Sequence, residues 1–282
     1  MEYIASSATS VLIGHVAGKT NSIRVGSGGI MLPNHSPLVI AEQFGTLASI
    51  YPGRIDLGLG RAPGTDQLTA RALRRNNLDA SLHFPNDVKQ LQTYFSKSNS
   101  TAMVRAFPGE GLDIPIWILG SSTDSAYLAA QMGLPYTFAA HFAPTHFRQA
   151  IAIYREHFRP SAYLDKPYVM ACVNVLGADT DEDASALLSS LIAMFVGVIT
   201  NVRSPLQAPG QLPAEYNIPE VRSTINSMLA CTFTGNSASL RTKLSDFIDD
   251  TQIDELMVAT YIYDNEAKLK SFSILREALE SV

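Results

Sequence analysis

Short runs of β-branched and aliphatic residues alternate along this chain with longer stretches of helical periodicity. That alternation restricts the fold to a parallel sheet covered by helices. Strands are expected at 23–31, 54–60, 114–119, 136–140, 168–176 and 255–260, with a further extended stretch at 103–107. Helices are expected at 7–19, from Pro37 to the stop at Tyr51-Pro52-Gly53, and at 67–75, 86–95, 122–132, 145–158, 181–200, 237–250 and 265–279. At 282 residues, 46% of them apolar, the chain is long enough to build one large core, and a single domain over 1–282 is the expectation. The stretch 201–234 interrupts the alternation with Pro205, Pro209, Pro213 and Pro219 and one helical run near 220–229. Insertions of this kind form lids or site walls, although proline-rich surface loops look similar.

Charge and cysteine usage exclude several classes. With 21 basic against 26 acidic side chains and a net charge of −5, the basic footprint of a nucleic-acid binder is missing. Cys172 and Cys231 stand far apart and outside any Cys-x-x-Cys pair, so neither a disulfide framework nor a zinc site is indicated. No basic segment followed by an apolar one opens the sequence, which leads to the expectation of a cytoplasmic protein. The apolar window 186–199 follows the acidic cap Asp179-Thr180-Asp181-Glu182-Asp183 and reads as a core helix rather than a membrane span.

Chemistry is suggested at two strand ends. In Arg54-Ile55-Asp56-Leu57-Gly58-Leu59-Gly60, bulky residues alternate with Asp56, Gly58 and Gly60. Small residues on an inward face leave volume near the C-terminal end of a barrel strand, where such folds bind ligands. The stretch Gly26-Ser27-Gly28-Gly29 repeats the pattern, and glycines at bulges or close strand crossings would leave the same trace. Gly58-Leu59-Gly60-Arg61-Ala62-Pro63-Gly64 is not a dinucleotide fingerprint, because its third glycine is one residue late and Pro63 falls where the helix should begin.

Arg61 sits just past a strand, where a guanidinium can fork onto phosphate oxygens; a surface salt bridge is the plain alternative. Gly120-Ser121-Ser122-Thr123-Asp124 lies between a strand and an Ala-rich helix, so its hydroxyls and free amides could cup an anion, or Ser122 and Thr123 could simply cap the helix. Among six histidines, His35 and His141 follow strands and could face a barrel mouth. No Ser-His-Asp ordering, His-Glu-x-x-His motif or carboxylate pair stands out, so hydrolytic and metal-dependent chemistry lack support and no catalytic residue is assigned.

The runs Ile23-Arg24-Val25-Gly26-Ser27-Gly28-Gly29-Ile30-Met31-Leu32-Pro33-Asn34-His35-Ser36-Pro37, Ala41-Glu42-Gln43 and Tyr51-Pro52-Gly53-Arg54-Ile55-Asp56-Leu57-Gly58-Leu59-Gly60-Arg61-Ala62-Pro63-Gly64-Thr65-Asp66 closely resemble the bacterial luciferase-like flavin monooxygenases. Pro115-Ile116-Trp117-Ile118-Leu119-Gly120-Ser121-Ser122 and Asp254-Glu255-Leu256-Met257-Val258 extend the resemblance over essentially the whole chain. It implies a (β/α)8 TIM barrel using reduced FMN delivered by a separate flavin reductase, or a deazaflavin, to transfer an oxygen atom from O2 to a small organic substrate. By the same resemblance Arg61, Gly120, Ser121 and Ser122 would hold the flavin phosphate, and Gly28-Gly29 would form a non-proline cis peptide beneath the flavin ring. His141 would line the substrate side, where His35, by its place after a strand, is the other candidate for the substrate pocket, and the first helices would form a homodimer. Family members begin with a strand, a helix and a strand ending in a Glu-His-His-like motif, so the resemblance also implies an N-terminally truncated barrel of about six strands. A non-catalytic flavin-binding protein, or an inactive remnant of the same family, is the alternative.

Overall fold

A computed structural model describes residues 6–62, 72, 80–202 and 204–280. The helix expected over 67–75, apart from Ala72, and the Pro63-Gly64-Thr65-Asp66 run lie outside the described residues. The chain divides into two compact units, Met1–Thr137 with Ile153–Pro167, and Phe138–Ala152 with Tyr168–Val282.

The first unit alternates α1 (Thr9–Lys19), β1 (Val25–Gly26), β2 (Ile30–Met31), α2 (Pro37–Ile50), β3 (Ile55–Gly60), α3 (Phe84–Phe95), β4 (Ile116–Gly120) and α4 (Thr123–Met132) before β5 (Tyr136–Phe138) leads into the second. Pro37 opens α2 at the first helical position, where its missing N–H removes no helical bond. Gly133, at φ 60°, ends α4 and returns its N–H to the carbonyls of Ala129 and Ala130, a left-handed cap that glycine adopts without a Cβ clash. Helix α1 lacks such a cap. The Arg54 guanidinium instead bonds the carbonyls of Ala17 (3.2 Å), Thr20 (2.9 Å) and Ile23 (2.8 Å), covering acceptors that the helix end leaves open.

Strands β1 and β2 both pair in parallel with β3, and β3 pairs in parallel with β4. The expected single strand at 23–31 is thus split, and the register gives the reason. Val25 and Gly26 face Ile55 and Asp56, whereas Ile30 and Met31 face Leu59 and Gly60. Three residues, Ser27 to Gly29, stand against two, Leu57 and Gly58. This is a β-bulge of one residue. The Ser27 hydroxyl closes the gap by donating to the Gly58 carbonyl at 2.8 Å. Ile55, Leu57 and Leu59 are buried with Ile40 and Phe44 of α2 and Ile116 and Ile118 of β4 in the core.

The volume expected at the inward glycines is mostly filled, which corrects the sequence reading. A Cβ on Gly58 would lie 2.1 Å from the Ser27 carbonyl oxygen, and one on Gly26 would strike Asp56 at 2.8 Å. Only Gly28 and Gly60 leave room, with no atom inside 4 Å at the first and Ile30 O at 3.9 Å from the second. Close crossing and bulge therefore explain Gly26 and Gly58.

The second unit carries β6 (Val169–Gly177), α6 (Asp181–Ile199), α7 (Pro219–Met228), β7 (Thr232–Gly235), α8 (Ser237–Thr251), β8 (Glu255–Ala259) and α9 (Asn265–Leu279). Helix α5 (Phe147–His157) is shared by the two segments that meet at Ile153. Strand β6 pairs in parallel with β7 and with β8. Strand β7 was not expected: its first three residues fall at the end of the stretch assigned to an insertion. The extended stretch expected at 103–107 forms no strand. Thr180 caps α6, accepting from the Asp183 N–H at 3.1 Å, as the acidic cap predicts. Helix α6 is long and apolar enough to cross a membrane by length and composition, yet Leu191, Ile192, Phe195 and Val196 pack into a core cluster with Leu176 and Ile225.

The glycine contacts yield a paired expectation. Gly58→Ala should destabilise the protein by about 3 kcal/mol, because a backbone oxygen cannot retreat without moving the bulge. Gly60→Ala should lie within about 0.5 kcal/mol of the wild type. Urea denaturation of both variants measures the difference, and equal midpoints would remove the close crossing as the reason for Gly58.

Candidate functional site

In the first unit the ends of β3 and β4 bring together most of the residues singled out from sequence. The Gly28–Gly29 peptide bond is cis, and it lies within the bulge. A Cβ on Gly29 would meet Leu119 Cδ1 at 2.5 Å and the Gly58 carbonyl at 2.7 Å, so the bulge leans on the residue that precedes Gly120. Arg61 follows β3 directly. Its guanidinium lies 3.4 Å from Asp124 Oδ2 in the first turn of α4. The loop after β3 and the start of α4 therefore adjoin.

For the rival reading of the Gly120–Asp124 run, ordinary helix capping, the hydrogen bonds speak to Ser122. Ser122 occupies the N-cap position with extended backbone, but its hydroxyl makes no capping bond. What holds the turn is its carbonyl, which accepts from the Ser125 hydroxyl at 2.7 Å and from the Tyr136 hydroxyl at 3.2 Å. The two hydroxyls lie 3.0 Å apart. Burial pushes the Tyr136 phenol far above its ordinary value, so it stays a neutral donor. Gly120 is required by the same packing, since a Cβ there would overlap the Ser125 side chain. The side-chain oxygens of Ser121 and Ser122 are left available at a helix N-terminus beside a guanidinium, an arrangement able to bind an oxyanion.

The remaining residues are placed differently. Asp56, on β3, is committed to Arg24 through two bonds of 2.7 and 2.9 Å and to the Trp117 indole at 3.3 Å. His35 is half-buried after the turn Leu32–Asn34. His141 belongs to the second unit. Its ring is largely buried, and burial lowers its pKa to about 4 against a weaker opposing bond to the Cys172 backbone.

Sequence reasoning missed Ser125 and Tyr136, which position the turn, and Asn174. The last is fully buried on β6 and donates to the His141 carbonyl at 2.5 Å and to the Thr232 hydroxyl at 3.1 Å. The signal was present: Asn174 is the one amide in the apolar run Val169–Gly177. Among the described residues no cluster of His, Cys, Asp or Glu could hold a metal ion.

A family model described as luciferase-like monooxygenase matches residues 1–230. The chain belongs to the luciferase-like monooxygenase family. A relative from Escherichia coli strain K12, named luciferase-like monooxygenase, is 47% identical over 282 residues, covering 100% of this chain and 84% of its own. The crystal structure of apo-MsnO8 superposes with a TM-score of 0.84 at 30% identity, over 97% of this chain and 82% of the other. The FMN-bound oxygenating constituent of 3,6-diketocamphane monooxygenase from Pseudomonas putida shares the fold at a TM-score of 0.70 and 15% identity, over 97% and 84% of the two chains. The fold class, α/β with parallel strands and covering helices, is that of the luciferase-like TIM barrels, as the family resemblance implied.

Because the folded pKa of His141 lies near 4 and its ordinary value is 6.5, the unfolded chain binds a proton in that window that the folded chain refuses. Stability should therefore fall as pH drops from about 6.5 to about 4, with no further loss from this group below that. His141→Gln should flatten that part of the profile when urea midpoints are compared between pH 7.5 and 4. An unchanged slope would show that His141 protonates freely in the folded state.

Proposed function

We propose that this chain is the oxygenase component of a two-component flavin-dependent monooxygenase, which takes reduced FMN from a separate reductase and, with O2, oxygenates a small organic substrate. The observation that carries the reading is the contact of the Arg61 guanidinium with Asp124 at 3.4 Å in the first turn of α4, beside an N-cap Ser122 whose hydroxyl makes no capping bond. A phosphate monoester needs several donors at one place, and this cup offers a guanidinium, two hydroxyls and the amides of a helix end. Asp124 is no obstacle to that fit. Its pair with Arg61 is long and exposed on both sides, so it contributes little, and a bidentate phosphate bond would displace it.

Reduced flavin, when bound, supplies the electrons that activate O2, the step protein side chains cannot perform. The work left to this chain is anchoring and shielding. Arg61, Gly120, Ser121 and Ser122 would hold the phosphate, the Gly28–Gly29 bulge would lie under the ring, where Gly28 leaves open space, and His35 and His141 would border the substrate. Of the stretch 201–234, α7 and β7 belong to the core and the sheet, so water exclusion falls to its proline-rich part, 204–218, as a lid. Relatives support the two-component form: one from Acinetobacter baylyi, 21% identical, is named as the oxygenase component of a flavin-dependent trigonelline monooxygenase. Another from Bacillus subtilis, 30% identical, is named N-acetyl-S-alkylcysteine monooxygenase, which supports a small organic substrate. A deazaflavin is the second cofactor reading, since a coenzyme F420-dependent reductase shares the fold at a TM-score of 0.67. The reading places the protein in the cytoplasm as a homodimer, with the exposed Val11, Leu12 and Val39 of α1 and α2 covered by a second copy.

Arg61→Ala should weaken FMN binding by about 1.5–3 kcal/mol, the loss of a charge-assisted bond, and leave riboflavin, which lacks the phosphate, unaffected. Titration by flavin fluorescence compares the two ligands. Equal loss for both, or none, would dismiss the phosphate cup. Rapid mixing of the flavin-loaded reduced chain with O2 and candidate substrates then separates an oxygenase from a flavin carrier, since only the oxygenase couples O2 consumption to product.

A further inference from the structure

Phe95, Ile114 and Ile116, all buried, line a cavity of about 310 Å3 in the first unit. Three segments wall it: the end of α3 with the turn that follows, the loop leading into β4, and the loop that follows α5. The cavity lies at the start of β4, whereas Gly120 closes the other end of that strand. The stretch from Ile116 to Gly120 spans about 13 Å, so this is a different place from the cup at Arg61.

The walls are fixed without a ligand. The Gly111 N–H donates to the Phe95 carbonyl at 2.7 Å, tying the loop before β4 to the end of α3. On the third side the Ser161 hydroxyl donates to the Gly133 carbonyl at 2.8 Å and accepts from the Tyr163 N–H at 3.0 Å. A cavity held in this way costs little further ordering when a molecule enters it.

Its lining carries one charge of each sign. Lys97 and Asp113 both border the cavity and both are exposed. The Lys97 stem lies across Gly111, where an added Cβ would sit 3.2 Å from Lys97 Cγ. Among the described residues neither Lys97 nor Asp113 has an ion-pair partner, so the two charges are spent neither on each other nor elsewhere. The Asp113 carboxylate acts on Tyr163, whose phenol is held above its ordinary value first by burial and then by that charge.

An anion alone would meet Asp113, and a cation alone would meet Lys97. The complement is a molecule with both charges at one end and an apolar body at the other. Size narrows the choice: 310 Å3 stands at the small end of ligand pockets, about 300–1,000 Å3, which excludes a nucleotide and suits a single amino acid. We propose that this cavity is a second ligand site that binds a free α-amino acid with a branched apolar side chain. Lys97 takes the carboxylate, Asp113 and the Tyr163 hydroxyl take the ammonium, and Phe95, Ile114 and Ile116 receive the hydrocarbon.

The test follows the full chain through the methyl resonances of isotope-labelled isoleucine, with Ile114 and Ile116 assigned by their valine variants. Three probes share one branched hydrocarbon end: L-leucine carries both charges, isocaproate lacks the ammonium, and isoamylamine lacks the carboxylate. L-leucine is expected to shift the Ile114 and Ile116 methyls saturably and to bind about five-fold tighter than either partial analogue. Lys97→Met should remove its advantage over isoamylamine, and Asp113→Asn its advantage over isocaproate, each variant keeping the other preference. Both side chains are exposed, so the variants are expected to fold as the wild type does. No saturable shift with L-leucine, equal affinity for the three probes, or preferences that the two variants leave unmoved would each overturn the proposal.

Discussion

A single extra residue between β1 and β2 organises the C-terminal end of β3 in the first unit. The thirty-residue offset between β1 and β3 becomes twenty-nine between β2 and β3, so the backbone from Ser27 to Gly29 must leave the ladder. Ser27 replaces the lost pairing with a side-chain bond to Gly58, and Gly58 has to be glycine because the Ser27 carbonyl fills the space beside it. The displaced Gly29 then packs on Leu119, one residue before the turn that begins α4. Two glycines, Gly29 in the bulge and Gly58 on β3, thus express one geometric constraint, and bulges bend a strand and re-aim its backbone.

The α4 turn is held in an uncommon way for a serine N-cap. A serine at the N-cap position ordinarily spends its hydroxyl on a backbone amide two or three residues on. Here Ser122 is held through its carbonyl by Ser125 and by a buried, neutral Tyr136, so the turn is rigid while its hydroxyl and the helix amides stay uncommitted. The exposed Arg61–Asp124 contact adds orientation at little energetic cost.

Much of this was legible in the sequence, and what was not has physical reasons. Pro37 and Thr180 announce their helices because each relieves a specific backbone problem at a helix start. The alternation of Ile55, Leu57 and Leu59 with small residues reports a strand with one packed face. It does not report what fills the other face: a glycine marks close approach and open space with the same letter, so Gly58 and Gly60 could be told apart only by their neighbours. The bulge was invisible because a run as glycine-rich as Gly26 to Gly29 has no side-chain phase to slip. Strand β7 was hidden by its four-residue length and the prolines upstream. Asn174 belongs to no spacing motif, and its meaning depends on a histidine thirty-three residues away.

The two units differ in how their polar groups are satisfied. In the first, the Arg61 guanidinium meets Asp124 in a contact exposed on both sides, and the Ser122 hydroxyl makes no capping bond. In the second, the fully buried Asn174 donates its amide nitrogen to the His141 carbonyl and the Thr232 hydroxyl, and burial lowers the His141 pKa to about 4. An exposed ion pair contributes little and can exchange partners readily, whereas a buried amide cannot give up its bonds without the full cost of desolvation.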